Sequence, residues 1–258
     1  MRKGAGDRHP DRRLTRRPDR VTLARALSKL GYVSRVQARS VVSSGRVSVD
    51  GRVVRDPDRW IDLRSARLRL DGEAIRKKRN VYVAMHKPAG CVTTRSDERS
   101  RATVYDLLGE MHDWLFPVGR LDGDTSGLLL FTNDTAFGDA LTNPESHVSK
   151  TYRVRLDKPL AEADARQMES GMMLDERTRL RPAAVERVDG AETEIELTIH
   201  EGKNRQIRRM CERLGYEILG LHRTRVGSLR LGTLAEGKTR VLSKAEVDSL
   251  KTESQEGR

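Results

Sequence analysis

The chain has 258 residues, 50 Lys and Arg against 38 Asp and Glu, a formal net charge of +12 and two cysteines. That length holds one large domain, or a small one and a medium one, with ample material for a core. The basic excess runs along the chain rather than in one tail, which favours a polyanionic partner, nucleic acid first. A membrane partner is disfavoured, because no apolar stretch nears the ~20 residues that span a bilayer. The basic N-terminus is followed by no apolar segment of the kind a signal peptide needs. Cys91 and Cys211 are far apart and the six histidines are scattered. We therefore expect a reduced, cytoplasmic protein with no metal site.

Residues 1–20 are rich in Arg, carry Pro10 and Pro18, and hold almost nothing apolar. They read as a disordered basic arm, either attracted to RNA without sequence preference or simply solvated. From Thr22 the pattern turns helical, with Leu23, Ala26, Leu27 and Leu30 on one stripe, Thr22 as N-cap and Gly31 as stop. Ser34 is placed to cap a second helix carrying Ala38, Val41 and Val42, which ends near Gly45. Residues Arg46 to Val54 then alternate around Asp50-Gly51, a hairpin signal. Arg35 and Arg39 lie one helical turn apart, and Arg46 follows in the hairpin, a basic face suited to RNA contact.

Leu30-Gly31-Tyr32-Val33-Ser34-Arg35, Ala38-Arg39, Ser44-Gly45-Arg46-Val47 and Val49-Asp50-Gly51 resemble the ribosomal-protein-S-four-like RNA-binding domain. The expected boundaries are residues 21–75 for this module, a basic linker at 76–80, a second domain over 81–250, and a polar tail from 251 to 258.

The second domain opens on a strand pattern at Val81 to Met85, closed by His86-Lys87-Pro88-Ala89-Gly90. Gly119-Arg120-Leu121-Asp122-Gly123-Asp124-Thr125-Ser126-Gly127 leads directly into the apolar run Leu128 to Thr132. This sets a carboxylate in a glycine-flanked turn braced by a buried strand, as covalent carboxylate chemistry requires. By itself, an Asp in such a turn is a turn-former. Asn133 or Asp134 caps a helix through Phe137 and Leu141, stopped by Asn143-Pro144.

Lys150 to Leu156 has a period of two, with Tyr152, Val154 and Leu156 on one face. Tyr152 is either a base-stacking aromatic or a core tyrosine. The strand Ile195, Leu197, Ile199 is followed by Glu201-Gly202-Lys203-Asn204-Arg205-Gln206-Ile207-Arg208-Arg209-Met210. There Asn204 is read as the cap of a helix that Gly215 ends. Arg205, Arg208 and Arg209 near its first turn oppose the helix dipole, which suggests an anionic partner, although Glu212 is also in reach of Arg208. Leu219 to Gly227 mixes apolar and basic residues. Ser243 and Glu246 form a capping box for a last short helix.

Taken together, Lys87-Pro88-Ala89-Gly90, Gly119-Arg120-Leu121-Asp122 with Thr125 to Leu130, Lys150-Thr151-Tyr152, and Glu201 to Met210 resemble the RsuA/RluB-type ribosomal RNA pseudouridine synthases. The resemblance implies an α+β fold: a small helix-helix-hairpin RNA-binding domain, then a catalytic domain on a mixed, largely antiparallel sheet with flanking helices and a central cleft. It implies Asp122 as the catalytic aspartate, Tyr152 as the tyrosine packed on the target base, and Arg208 as the basic residue paired with the aspartate. Arg120 would fill the gap left by the extruded base and Leu221 would form an apolar pocket wall, with Lys150, Lys203 and Arg205 also binding substrate. Arg35, Arg39 and Arg46 would carry the RNA contacts of the first domain.

The chain departs from the family pattern at His86, at Asn133-Asp134-Thr135 and at Asn143-Pro144. The expected partner is ribosomal RNA or a pre-ribosomal particle, with large-subunit RNA favoured, for a monomer that needs no cofactor. The competing readings are a non-catalytic RNA-binding assembly factor and an enzyme acting on transfer RNA.

Overall fold

The computed structural model describes residues 20–76, 79–109 and 115–256, apart from the side chain of Arg35. The basic arm read at residues 1–20 lies outside the described residues except for Arg20, which begins a strand. Lys77 and Lys78 of the linker and the last two residues of the tail also lie outside them. The chain divides between residues 78 and 79 into two compact units.

In the first unit, strand β1 (Arg20–Thr22) runs into helix α1 (Leu23–Lys29), and α2 (Arg35–Ser43) follows. Thr22 caps α1 by accepting from the Arg25 backbone N–H at 3.4 Å. Ser34 and Gln37 form a reciprocal capping box on α2, at 3.1 and 3.2 Å, which satisfies two of the helix's orphan donors. Strands β2 (Val47–Val49) and β3 (Arg52–Val53) make the hairpin. Its turn holds Asp50 at φ 50° and Gly51 at φ 84°, the left-handed pair that a type I′ turn needs.

Strand β4 (Trp60–Asp62) pairs antiparallel with β1, while β5 (Leu68–Leu70) pairs with β2 and is edged by β6 (Glu73–Ala74). Leu23, Leu27, Ala38, Val42, Val47 and Ile61 fill one core between these elements.

The second unit is built on one sheet in the order β11-β12-β10-β13-β9-β7-β15. Its strands are β7 (Tyr82–Lys87), β8 (Phe116–Pro117), β9 (Ser126–Thr132), β10 (Lys150–Leu156), β11 (Ala184–Val188), β12 (Ala191–Ile199), β13 (Ile218–Val226), β14 (Leu229–Arg230) and β15 (Thr239–Val241). Strands β8 and β14 attach to β9 and β13. Every pairing is antiparallel except β9 with β13, where Ser126 lies opposite His222 and Gly127 opposite Arg223.

Gly127 is required at that crossing. Its φ is +108°, and a Cβ there would run into the Arg223 backbone. One sheet face packs Met85, Leu129, Phe131, Val154 and Leu197 against α4 (Glu162–Ser170) and α5 (Gln206–Arg213). The other packs Leu128, Leu130 and Val226 against α3 (Thr135–Thr142) and α6 (Lys244–Glu256). The fold is α+β with a largely antiparallel sheet. No helix among the described residues is long and apolar enough to cross a membrane.

The structure settles or corrects several local expectations. Asp134, the second of the two candidates, caps α3 through Oδ1, at 3.1 Å from the Ala136 N–H. Asn204 does not cap α5; Arg205 is the cap residue and makes no side-chain cap bond. The turn is closed instead by Gln206, whose Oε1 accepts from the Lys203 N–H at 3.1 Å while its amide donates to the buried Glu201 at 3.1 Å. Residues 251–256 are not a polar tail. Helix α6 continues to Glu256, because Glu253 accepts from the Ser228 N–H at 3.0 Å and Ser254 is buried. Residues 157–190, where periodicity yields no element, form α4 and β11. Of α4 only Ala165 and Met168 are buried, too few to print a stripe in the sequence.

Candidate active site

Four pieces of backbone converge on one cleft of about 490 Å3 in the second unit. The turn after β8 supplies Arg120, Leu121 and Asp122, β10 supplies Tyr152, the start of α5 supplies Arg205 and Arg208, and β13 supplies Leu221. The Asp122 side chain is about one-third exposed. Tyr152 and Leu221 are nearly buried in the wall. The Tyr152 hydroxyl has no hydrogen-bond partner among the described residues, and the Arg223 guanidinium sits 6.0 Å from its ring.

The turn that carries Asp122 is held from below by Lys87. This side chain is fully buried, and its Nζ donates to the carbonyls of Thr125 (2.7 Å), Pro88 (2.9 Å) and Gly123 (3.4 Å). Burial pulls the Lys87 ammonium below its ordinary value, while Cys91, Asp124 and Asp122 act in the opposite sense. The three carbonyls take the place of the water that burial removes from the Lys87 Nζ. Thr93 completes the support, donating to the Leu121 carbonyl at 2.7 Å and accepting from the Leu121 N–H at 3.3 Å.

The cations meet this turn in a different pairing from the one the resemblance implies. Arg205 Nη1 lies 3.7 Å from Asp122 Oδ2 and 3.6 Å from Asp124 Oδ2. Arg208 Nη2 lies 3.1 Å from Asp124 Oδ2 and donates to the Asp124 carbonyl at 3.1 Å. The guanidinium beside Asp122 is therefore that of Arg205, and the expected Arg208–Asp122 pair is corrected to Arg208–Asp124. The reason is local: Arg205 adopts a left-handed conformation, φ 47° and ψ 35°, which a non-glycine residue holds at a cost of about 1–3 kcal/mol. Arg208 Nε is buried without a hydrogen-bond partner among the described residues. The alternative weighed for Arg208 was Glu212; the ion pair found is with Asp124.

Lys203 lines the cleft, but its Nζ turns toward its own loop, 3.5 Å from Glu201 Oε2 and bonded to the Arg179 carbonyl. Lys150 is not in the cleft lining. Its Nζ donates to the Val148 carbonyl at 2.7 Å, and the register of β10 on β13 shifts between Thr151 and Tyr152, which breaks the alternation that would align Lys150 with Tyr152. Lys87, Thr93, Asp124 and Arg223 are the residues for which the sequence suggested no role. The signal available for Lys87 was a charged residue ending an apolar strand pattern.

In the first unit, Arg39 is bonded to both oxygens of Asp58 at 2.8 and 2.9 Å, and Arg46 to both of Asp71 at 2.9 and 2.6 Å. These arginines are therefore neutralised in place, though about half exposed. Each holds its carboxyl below the usual range through the hydrogen bond. Arg35 is the first residue of α2; its side chain lies outside the described residues.

A family model described as RNA pseudouridylate synthase matches residues 81–213, and an S4 domain model matches residues 21–59. The chain is 36% identical over 235 residues to the uncharacterized RNA pseudouridine synthase YtzG of Bacillus subtilis (strain 168), covering 89% of this chain and 98% of that one. It is 33% identical over 239 residues to ribosomal large subunit pseudouridine synthase B of the same organism, covering 92% and 98%. A crystal structure of a pseudouridylate synthase superposes with a TM-score of 0.67 at 30% identity, over 89% of this chain and 99% of that one. The chain belongs to the RNA pseudouridylate synthase family. It is an isomerase of the RsuA/RluB type, with an S4 domain ahead of the synthase domain.

Proposed function

We propose that this enzyme converts a uridine of ribosomal RNA, in the large subunit, to pseudouridine, with Asp122 as its catalytic carboxylate and the 490 Å3 cleft as the pocket for a base taken out of its stack. The observation that carries the reading is the partly exposed Asp122 carboxylate on the wall of a nucleoside-sized cleft, with Arg205 at 3.7 Å. A base must leave its helix to be turned over, and pockets for extruded bases combine apolar or aromatic walls with a few polar groups. Tyr152 and Leu221 are such walls. The large-subunit assignment is supported by the likeness to the Bacillus enzyme whose name carries it.

The reaction is balanced without a cofactor. The bond from N1 to C1′ breaks, the uracil rotates, C5 bonds to C1′, and the proton lost from C5 is matched by one gained at N1. Asp122 faces the Arg205 guanidinium at 3.7 Å, and that attraction strengthens once a bound base has displaced water. Arg120, exposed on the rim, is placed to enter the space the base vacates. We assign the RNA-binding module expected at residues 21–75 the role of attaching the enzyme to RNA or to a pre-ribosomal particle, with the enzyme acting as a cytoplasmic monomer. Mapping pseudouridine in ribosomal RNA treated with wild-type protein and with Asp122→Asn tests the reading; product from Asp122→Asn would overturn it.

A further inference from the structure

Residues 92–101, which follow β7, and residues 120–123, which follow β8, line a second cleft of about 560 Å3, distinct from the one assigned to the base. Thr94, Ser96 and Arg99 line one side, and Arg120, Leu121 and Asp122 line the other. Those last three residues also line the first cleft, so a single stretch of backbone is the partition between the two.

The outer loop is built onto that partition. Besides the double bond of Thr93 to Leu121, the Gly90 N–H donates to the Gly123 carbonyl at 2.7 Å, and the Val92 N–H to the Ala102 carbonyl at 2.9 Å. Farther out, Asp97 accepts from the backbone N–H of Arg99 at 3.1 Å and of Arg101 at 3.0 Å, and from the Arg101 guanidinium at 3.0 and 2.7 Å. The Arg101 guanidinium holds the Asp97 carboxyl well below the usual carboxylate range. This tie occupies Arg101 and shapes the loop. It leaves the exposed Arg99 and Arg120 side chains without an ion pair among the described residues. Glu98 and Asp122 are the acids of the lining that Arg101 does not neutralise.

Resting on the reading of the first cleft as the uridine pocket, we propose that the second cleft holds a nucleotide next to the target uridine in the RNA chain, and so selects the sequence context in which that uridine is modified. When the target base fills the first cleft, its backbone must cross the rim at Arg120. A covalently attached neighbour then lies on the far side of the partition, where the cavity is. The chemistry suits a nucleotide base: a guanidinium takes a base edge, and the Ser96 hydroxyl suits an unstacked base.

The test uses the full-length protein and a synthetic RNA carrying the mapped uridine, with each flanking nucleotide replaced in turn by the other bases and by an abasic residue. For the wild type, kcat/KM should fall about tenfold with the abasic residue on one particular side, the size expected for loss of one contact to a charged group. Arg99→Ala should cost about as much on the intact RNA and nothing further on that abasic RNA, with kcat at saturating RNA kept. Equal Arg99→Ala losses on intact and abasic RNA would assign Arg99 a merely structural or bulk electrostatic role and overturn the proposal. So would indifference of the wild type to both flanks. Either result, with Asp122→Asn inactive, sinks the second cleft alone. An active Asp122→Asn removes the uridine pocket, and this inference with it.

Discussion

Arg208 is paired with Asp124: its Nη2 is 3.1 Å from the carboxylate and 3.1 Å from the carbonyl of that residue, a double grip of α5 on the turn that carries Asp122. Arg205, one helical turn earlier, is left as the cation facing Asp122. The two arginines therefore have separable effects. Arg205→Ala should lower kcat by about a hundredfold, the scale of one electrostatic catalytic contact, with little change in RNA affinity. Arg208→Ala and Asp124→Ala should couple by about 0.5–1 kcal/mol in a double-mutant cycle of stability, since the Asp124 carboxylate is half exposed. Single-turnover kinetics of Arg205→Ala and denaturant unfolding of the four proteins of the cycle measure the two effects.

Asp122→Asn should leave RNA binding within about twofold of wild type and lower product formation by at least about 10³-fold, because the amide keeps the size of the side chain and removes its charge. Filter binding and pseudouridine mapping on the same RNA separate the two quantities.

Lys87→Met removes the buried charge that three carbonyls converge on. Stranding those acceptors should cost about 2–4 kcal/mol in stability. Turnover per folded molecule should fall as well, because the Gly123 and Thr125 carbonyls belong to the turn that carries Asp122. Urea unfolding followed by kinetics under folded conditions distinguishes the two effects; unchanged turnover would reduce Lys87 to a core residue.

Burial pushes Lys150 down to about 8 from the ordinary lysine value of 10.5. Between those values the unfolded chain binds more protons than the folded one, so stability rises with pH across that window and is insensitive to this group below it. Lys150→Met should lack the rise and bind RNA as wild type does, since the amine is engaged with Val148 rather than with the cleft. The unfolding midpoints of the two proteins between pH 8 and 10.5, together with RNA affinity at neutral pH, provide the check.

Arg39→Ala combined with Arg46→Ala should reduce the slope of log affinity against log salt by about 0.7–0.9 for each side chain that meets a phosphate. Breaking these exposed pairs with Asp58 and Asp71 should leave stability little changed, because solvent screens them. An unchanged slope would show that these carboxylates already satisfy both arginines in the RNA complex.

Much of this architecture could be read from local pattern. Thr22, Ser34 and the Ser243–Glu246 box cap their helices because a short oxygen-bearing side chain before an apolar stripe has few other uses. The Asp50-Gly51 turn and the buried run of β9 follow from backbone sterics and the period of two. Asp122, Tyr152 and Leu221 reach one cleft because four separated motifs belong to a single fold.

What the linear order could not contain was any fact set by two distant segments meeting. Lys150 and Tyr152 share strand parity, yet a register shift against β13 separates their environments. Asn204 has the chemistry of a cap, but Gln206 closes the turn through Glu201. The choice between Arg205 and Arg208 as the partner of Asp122 depends on a left-handed residue at the start of α5 and on where β9 and β13 run parallel. Local propensity acts over one turn of chain, so it determined the elements, most of their caps and the turn that presents Asp122. Ion pairing and burial act through space, so only the folded sheet decided which charge faces which, and that a buried lysine holds that turn in place.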